Sequence, residues 1–259
     1  DWVSKRLKHD NLMQCYPHNT EKKYLFQCYE YLQGETLAQW LHRQEKPLNL
    51  DEILPILQQT ALSLNAMHRL EMLHQDIRPK NIMVINAENA MKIKLIDYGS
   101  TAVRGLVEIN PKNANRALGT LAFMAPEYFI DHSPSVHSDQ FSLAVMAYYL
   151  FTKQLPYGTD LARCNSLKQM KKVQYHSIRK YRPDLPIWLD KILGQALSIE
   201  PTHRFEALSE LIHNLMHPSK ELLNSKPPAI IERDPLRFWQ ISCTVLGLLF
   251  LLSIAWPFI

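Results

Sequence analysis

Glycine is scarce in this chain, with only 7 glycines among 259 residues. Turns in which a glycine backbone closely approaches a phosphate must therefore be few. This scarcity argues against a nucleotide-binding sheet built on glycine-rich turns. The apolar residues instead recur with helical spacing, which indicates a mainly helical core. Helices are predicted at 36–43, 50–70, 138–152, 186–196 and 205–217.

Cysteine is also sparse, and the four cysteines form no C-x-x-C pair. This spacing argues against a zinc site or a disulfide framework and fits a reducing compartment. The 11 histidines likewise lack metal-ligand spacing, so His74 is interpreted as a support within its loop. The net charge of +4 is scattered along the chain, so nucleic acid is not an expected partner.

A polar loop at residues 74–81 is the most informative stretch. It reads H-Q-D-I-R-P-K-N, and a D-Y-G sequence follows at 97–99 after an apolar run. Phosphoryl transfer to a hydroxyl requires a carboxylate that orients the attacking oxygen and oxygen ligands that hold magnesium on the phosphates. Asp76, Asn81 and Asp97 can supply these groups. Taken alone, Asp and Asn in a polar loop such as Asp76 and Asn81 are more often ordinary turn residues, because they bond their own backbone.

A β-hairpin is predicted to bring the three groups together. Residues 91–96 alternate apolar and basic side chains, as a half-buried strand does. Residues 82–85 are the natural partner strand, with a turn at 86–90. Asn81 and Asp97 would then flank the two strands at the mouth of one cleft.

In this order, the motifs resemble those of the eukaryotic-type Ser/Thr protein kinase family, whose catalytic and metal loops read H-R-D-L-K-P-x-N and D-F-G. The resemblance covers residues 5–216 and implies an α+β protein-kinase-like fold with a mainly helical C-lobe, using ATP and Mg2+. It implies that Asp76 is the catalytic base and that Asn81 and Asp97 are magnesium ligands. Arg78 stands in place of a phosphate-neutralising lysine and keeps its charge, but a planar guanidinium has a different reach.

The activation segment of the family is also recognisable. Residues 119–127 read G-T-L-A-F-M-A-P-E and resemble the end of that segment. In the family, the threonine at the place of Thr120 bridges the catalytic Asp and Lys and is typical of Ser/Thr kinases, a specificity that Pro79 also favours. Gln75 replaces an arginine that pairs with a phosphorylated activation segment, so activation by loop phosphorylation is less expected here.

Two further positions match structural parts of the family. Asp139 is expected to hold the backbone of the catalytic loop. Arg204 is expected to form a buried ion pair with Glu127, whose loss would destabilise the lower lobe.

The nucleotide pocket is predicted upstream of the catalytic loop. A strand-like run at 24–29 leads into E-Y-L-Q-G at 30–34, which resembles the hinge between kinase lobes. The resemblance implies a gatekeeper, a backbone C=O and N–H that read the adenine edge, and two side chains beneath the base. Tyr29 would be the gatekeeper, and the Glu30 C=O and Leu32 N–H would read the adenine edge. Met83 and Ile96 would pack beneath the base.

Parts that kinases place before the hinge are not recognisable. The Gly-rich loop, the strand lysine and the helix glutamate are all missing before residue 24. The chain is therefore interpreted as a fragment with a truncated N-lobe, which is not expected to be catalytically competent as it stands. The predicted division is an N-lobe remnant with the hinge (1–32), the kinase C-lobe (33–216), a juxtamembrane linker (217–236) and a transmembrane helix (237–259).

The C-terminal residues 238–259 contain no charge and are about long enough to cross a bilayer. Trp239 and Trp256 would lie at the two interfaces. Basic residues precede this stretch and none follows it, which predicts a single pass through the inner membrane with the kinase facing the cytoplasm.

Three function classes remain open. The leading one is a membrane-anchored kinase that transfers the γ-phosphoryl group of ATP to Ser or Thr hydroxyls of a protein. A pseudokinase acting as a nucleotide-responsive membrane scaffold is the second, and a small-molecule phosphotransferase of the aminoglycoside type is the third, although it lacks the 119–127 segment. The chain further resembles bacterial proteins that fuse a phosphatase to a kinase and a membrane tail, which would place a phosphatase domain before Asp1.

Overall fold

The computed structural model describes residues 6–16, 26–87, 90–103, 121–130, 133–224 and 235–255. Within these residues, every strand lies before residue 104, with the first two helices among them, and the other helices follow. The strands are β1 Cys15–Tyr16, β2 Cys28–Tyr29, β3 Glu35–Thr36, β4 Met72–Leu73, β5 Ile82–Ala87, β6 Ala90–Leu95 and β7 Ala102–Val103. β1 pairs with β2, β4 pairs with β7, and β3, β5 and β6 form one sheet in that order.

The helices pack around one buried helix, α3. In chain order they are α1 Leu37–Arg43, α2 Leu50–His68, α3 Val136–Thr152, α4 Leu167–Met170, α5 Ile187–Ala196, α6 Leu208–Met216, α7 Lys220–Leu223 and α8 Pro235–Ala255. Nearly every side chain of α3 is buried, including Phe141, Tyr148 and Phe151. A helix that is buried on all sides lies at the centre of a core, and α2, α5 and α6 pack against α3.

Capping side chains define where the first two helices begin. Thr36 accepts a hydrogen bond from the backbone of Gln39, whose side chain bonds back to the Thr36 backbone. Asn49 and Glu52 form the same reciprocal pair before α2. Each pair satisfies backbone N–H groups that a helix start leaves unpaired. The predicted helices at 36–43 and 50–70 are therefore confirmed to within two residues at their ends.

The last predicted helix of the kinase region, 205–217, begins three residues too early. The backbone N–H of Phe205 donates to Gln140 Oε1 (3.2 Å), and the Phe205 carbonyl accepts from Gln140 Nε2 (3.0 Å). Because a side chain of α3 takes both backbone groups, residue 205 cannot join the helix, which starts at Leu208. The apolar periodicity gave no sign of this tertiary contact.

The predicted hairpin is confirmed, with longer strands than expected. β5 and β6 pair from Ile82 opposite Leu95 to Ala87 opposite Ala90. The two strands therefore extend into the predicted turn at 86–90, of which residues 88 and 89 lie outside the described residues. Val84 and Ile93 face the core on one side of the hairpin.

The strand predicted at 24–29 is confirmed only in part. Cys28 and Tyr29 are its strand residues within the described range, and they pair with Cys15–Tyr16, a partner that the sequence analysis did not identify. Residues 24 and 25 lie outside the described residues.

The segment before β1 is tied to the hairpin. The Asn11 carbonyl accepts from the backbone N–H of Leu95 (2.8 Å) and from Ser63 Oγ (2.9 Å). The Asn11 side chain donates to Gln59 Oε1 (3.0 Å), and Met13 N–H donates to the Leu95 carbonyl (3.0 Å). The N-terminal segment thus docks on the edge of the sheet that leads to Asp97.

The C-terminal helix α8 is 21 residues long. Within the part of the chain that the structure describes, no helix combines the length and the apolar character needed to span a bilayer. The predicted transmembrane helix at 237–259 therefore has no support from the fold.

Candidate active site

Asp139 holds the backbone of the loop at 74–81. Its side chain is fully buried in the first turn of α3. Oδ1 accepts from the backbone N–H of Gln75 (2.9 Å), and Oδ2 accepts from that of His74 (2.9 Å). His68 Nε2, in the last turn of α2, also lies 2.9 Å from Oδ2. These three donors compensate the burial of the carboxylate, and the predicted structural role of Asp139 is confirmed.

His74 joins this loop to the strand that precedes Asp97. Its Nδ1 accepts from the backbone N–H of Asp76 (3.3 Å), so its proton lies on Nε2, which donates to the Ile96 carbonyl (3.3 Å). Complete burial lowers the pKa of His74 below 6.5, against the opposing effect of the Asp139 carboxylate. The ring is therefore a neutral bridge, which confirms its predicted role as a support.

Asp76 and Asn81 meet across the loop. Asn81 Nδ2 donates to the Asp76 carboxylate at Oδ2 (2.7 Å) and to the Asp76 carbonyl (2.9 Å). A 3-10 turn at Pro79–Asn81, closed by a bond from Asn81 N–H to the Arg78 carbonyl (2.9 Å), brings the two residues together. Because Asn81 uses its nitrogen for Asp76, its Oδ1 is left to bind another group.

Asp97 follows the hairpin on the same side as Asn81. The backbone N–H of Ile96 donates to the Asn81 carbonyl (2.9 Å), one residue beyond the last ladder pair. Asp97 is exposed, and its Oδ1 accepts from the Gly99 N–H (3.1 Å). Its φ of 64° lies in the left-handed region, which non-glycine residues rarely adopt, and Gln75 has a similar φ of 67°. Such angles often accompany functional turns.

The donor set at this edge suits magnesium. Mg2+ prefers oxygen ligands such as carboxylates and amide carbonyls and keeps several of its waters. Asn81 Oδ1 and the exposed Asp97 carboxylate are such ligands. Among the described residues, no three His, Cys, Asp or Glu side chains cluster as a metal cage. This arrangement fits an ion held jointly by the protein, water and nucleotide phosphates.

Two of the residues predicted to contact the nucleotide base lie on one face of the hairpin. Met83 lies opposite Lys94 in the hairpin, so Met83 and Ile96 share the face turned away from the buried Val84. Both are half-buried. Tyr29, Glu30 and Leu32 are also half-buried and follow one another at the end of β2.

Two backbone groups of the predicted hinge are available to bind a ligand. In the described part of the chain, neither the Glu30 carbonyl nor the Leu32 N–H makes a hydrogen bond. After the hinge, Gly34 approaches β5 so closely that a Cβ would lie 2.1 Å from the Val84 carbonyl oxygen. Only glycine fits there.

Of the other two predicted catalytic residues, the structure describes only Arg78. Arg78 is half-buried in an extended conformation immediately before the 3-10 turn. Thr120 lies outside the described residues.

The predicted buried ion pair is confirmed. Arg204 donates from both terminal nitrogens to the two Glu127 carboxylate oxygens, each over 2.9 Å, and both side chains are buried. Ser138 Oγ donates to the same carboxylate (2.6 Å). Burial acts to raise the pKa of Glu127, but hydrogen bonds and charge from Arg204 outweigh burial and hold this pKa below 4.5. The A-P-E segment is thereby fastened to the helical lobe.

The family model for the protein kinase domain matches residues 2–216. The chain belongs to the protein kinase family. This kinase domain is similar to the serine/threonine-protein kinase PrkC of Bacillus subtilis, with 25% identity over 205 residues that cover 79% of this chain and 31% of that protein. It is 30% identical over 208 residues to the serine/threonine-protein kinase pkn3 of Myxococcus xanthus, covering 78% of this chain and 38% of that protein.

Solved structures agree on the fold. The PknI kinase domain of Mycobacterium tuberculosis superposes with a TM-score of 0.62 at 24% identity, covering 83% of this chain and 75% of that chain. The kinase-like fold expected from the motifs is confirmed. The chain spans about a third of the length of its curated relatives, 31% and 38% for PrkC and pkn3.

Sequence reasoning missed three residues that shape the site of this kinase domain. His68 is the side chain that donates to Asp139, beside the two backbone N–H groups, and it could have been suspected from its place in the last turn of α2. Ser138 contacts Glu127, and Lys94 pairs with Glu30. The signal for Lys94 was a basic residue on the strand face opposite the core. No sequence pattern indicated which residue each of the three would contact, because the partner lies in another segment of the chain.

Proposed function

We propose that this kinase domain transfers the γ-phosphoryl group of ATP to Ser or Thr hydroxyls of a protein. The relatives support this proposal because PrkC and pkn3 are both named serine/threonine-protein kinases. The protein-kinase family match also favours a protein substrate over a small molecule of the aminoglycoside type.

One observation carries the chemistry of the proposal. The 2.7 Å bond from Asn81 to the Asp76 carboxylate holds that carboxylate beside an unused amide oxygen, and Ile96 ties Asp97 to the same edge. In the proposal, Asp76 orients the acceptor hydroxyl and accepts its proton. Asn81 and Asp97 hold magnesium, which when bound neutralises charge on the phosphates. Arg78 neutralises charge on the transferring phosphate, and Thr120 bridges Asp76 and Arg78.

The test uses the native full-length protein, radiolabelled ATP and a generic protein acceptor. Asp76→Asn keeps the size and the hydrogen bond from Asn81 but removes the carboxylate. Phosphate transfer should fall by about 100-fold or more, the usual contribution of a catalytic base. Asp51→Asn, which changes an exposed carboxylate in the first turn of α2, is the matched control and should transfer at the native rate.

Two further measurements sharpen this test. Calorimetric binding of MgATP should be retained by Asp76→Asn, which separates a chemical defect from an unfolded protein. Acid hydrolysis of the labelled acceptor should yield phosphoserine or phosphothreonine. Equal transfer by the native and Asp76→Asn proteins would reject the assignment of the base, and phosphotyrosine would reject the acceptor class.

A pseudokinase is the second candidate, and one observation favours it. Gln75 occupies the arginine position of the catalytic loop, and its buried Nε2 has no hydrogen-bond partner among the described residues. An uncharged side chain cannot form an ion pair with a phosphorylated segment. The same experiment separates the candidates, since a pseudokinase binds MgATP without transferring phosphate.

We also propose that the C-terminal segment attaches the domain to the cytoplasmic face of the inner membrane. Support comes from the uncharged sequence of 238–259 and from apolar side chains of α8 that are about half exposed or more: Leu236, Trp239, Ile241, Val245 and Leu246. Deleting 238–259 should move the protein from the membrane to the soluble fraction. Resistance of the native protein to alkaline carbonate would indicate insertion, while release would indicate surface attachment. A phosphatase domain before Asp1 stays a prediction from the sequence.

A further inference from the structure

Glu30 carries a carboxylate that the chemistry proposed above does not use. One of its oxygens, Oε1, accepts from the backbone N–H of Gln14 (2.7 Å) and from Lys94 Nζ. The side chains of Lys94 and Glu30 are only 17% and 19% exposed. An ion pair this sheltered is screened less than one on the surface, so it holds its geometry more firmly.

The same residue is fixed through its backbone. Glu30 N–H donates to the Gln14 carbonyl (3.0 Å), so the backbone of Gln14 is bonded to both the main chain and the side chain of Glu30. Lys94 Nζ also reaches the Leu12 carbonyl (3.4 Å). With its N–H and side chain both held, the Cα of Glu30 is fixed in position, and its carbonyl group starts from a fixed point. Rotation about ψ of this residue is then what turns its carbonyl, which makes no bond within the described residues.

Lys94 lies on the face of the hairpin that would receive the base. It is directly opposite Met83, and Ile96 follows two residues later on the same face. The residues of the other face, such as Val84 and Ile93, belong to the core. The ammonium group therefore connects the hinge backbone to the two side chains expected beneath the base, and to the strand that ends at Asp97.

We propose that Glu30 and Lys94 form a positioning pair that sets the position of the adenine-reading backbone edge relative to the hairpin. This inference rests on the proposed function, because it assumes that ATP binds in this cleft. The pair does not touch the phosphates. It acts through the Glu30 carbonyl and the Leu32 N–H, so it governs recognition of the base.

The test compares the binding of three ligands by the full-length protein: MgATP, MgGTP and magnesium tripolyphosphate, which lacks a base. Lys94→Met and Glu30→Gln should each weaken MgATP binding roughly ten-fold, in line with hydrogen bonds to charged groups. They should also reduce the preference for ATP over GTP. Tripolyphosphate should bind the variants as it binds the native protein.

Matched variants control for charge and for folding. Lys94→Arg keeps the cation and should bind MgATP within about three-fold of the native affinity. Lys92→Met removes an exposed lysine from the same face of the same strand and should change nothing. The double variant Lys94→Met with Glu30→Gln should bind about as weakly as either single one, because the two groups act as a unit. Thermal unfolding of each variant records any loss of the fold.

The outcomes separate the two proposals. Native protein that fails to bind MgATP overturns the proposed function and this inference together. Native protein that binds MgATP, with Lys94→Met showing the same affinity and the same ATP preference, overturns only the positioning pair. A Lys94→Met variant that loses MgATP and tripolyphosphate equally also overturns it, since the defect would then be structural.

Discussion

His74 donates from Nε2 to the carbonyl oxygen of Ile96 over 3.3 Å. Its other ring nitrogen accepts from the backbone of Asp76, so a single neutral imidazole spans the catalytic loop and the residue before Asp97. The two carboxylates that the proposed chemistry needs are therefore placed by one buried ring. Protonation of that ring would remove the acceptor at Nδ1 and bury a charge.

The stability of the domain should depend on pH through His74. Burial lowers its pKa in the folded state below 6.5, while the unfolded chain binds the proton near 6.5. The unfolded state therefore gains more protons as the pH falls below 6.5, and the free energy of unfolding should decrease there. Urea unfolding between pH 8 and 5 should show a shallower decrease for His74→Phe than for the native protein. Equal slopes would contradict this prediction.

Breaking the Glu127–Arg204 pair should be costly. Glu127→Gln leaves a buried guanidinium without its counter-charge, so the free energy of unfolding should fall by about 3 to 5 kcal/mol. Because the pKa of Glu127 is lowered, the contribution of its carboxylate is complete above pH 4.5 and is lost at more acidic pH. Asp160→Asn, in an exposed pair with Arg163, should cost less than about 1 kcal/mol in the same denaturant titration. Similar losses for both variants would argue against a special role of the buried pair.

Replacing Asp139 should destabilise the protein more than replacing His68, which donates to it. Asp139→Leu leaves two backbone N–H groups of the catalytic loop without an acceptor and should cost about 2 to 5 kcal/mol. His68→Leu removes one of three donors and should cost about 1 kcal/mol. Chemical unfolding measures both values. The reverse ranking would show that His68, and not the loop backbone, is the main partner of Asp139.

Two glycine substitutions should have opposite effects. Gly34→Ala places a Cβ 2.1 Å from the Val84 carbonyl oxygen, so the hinge must move and the protein should lose about 1 to 3 kcal/mol of stability. Gly194→Ala meets Tyr175 at an ordinary 3.7 Å inside α5 and should stabilise the helix by up to about 1 kcal/mol. Thermal unfolding of the two variants gives the comparison. An unchanged midpoint for Gly34→Ala would mean that the strands can separate without cost.

Local sequence patterns predicted which helices and strands form better than they predicted where each one begins and ends. Period-two alternation identified the hairpin because one face of it packs on the core, and helical periodicity identified α1 and α2. The start of α6 was misplaced because Gln140, from another helix, bonds the Phe205 backbone. The strand partner at Cys15–Tyr16 was missed because a two-residue strand leaves no periodic signal.

The order and spacing of the motifs determined the kinase family, the hairpin, and the identity of Asp76, Asn81 and Asp97 as the groups to examine. These features are local, and residue type alone carries them. Tertiary structure alone decided that His68 shares Asp139, that Lys94 pairs with Glu30, and that Gly34 must lack a side chain. Each of these depends on two segments meeting in space after the core has formed. Such a contact leaves no periodicity or motif in either segment by itself.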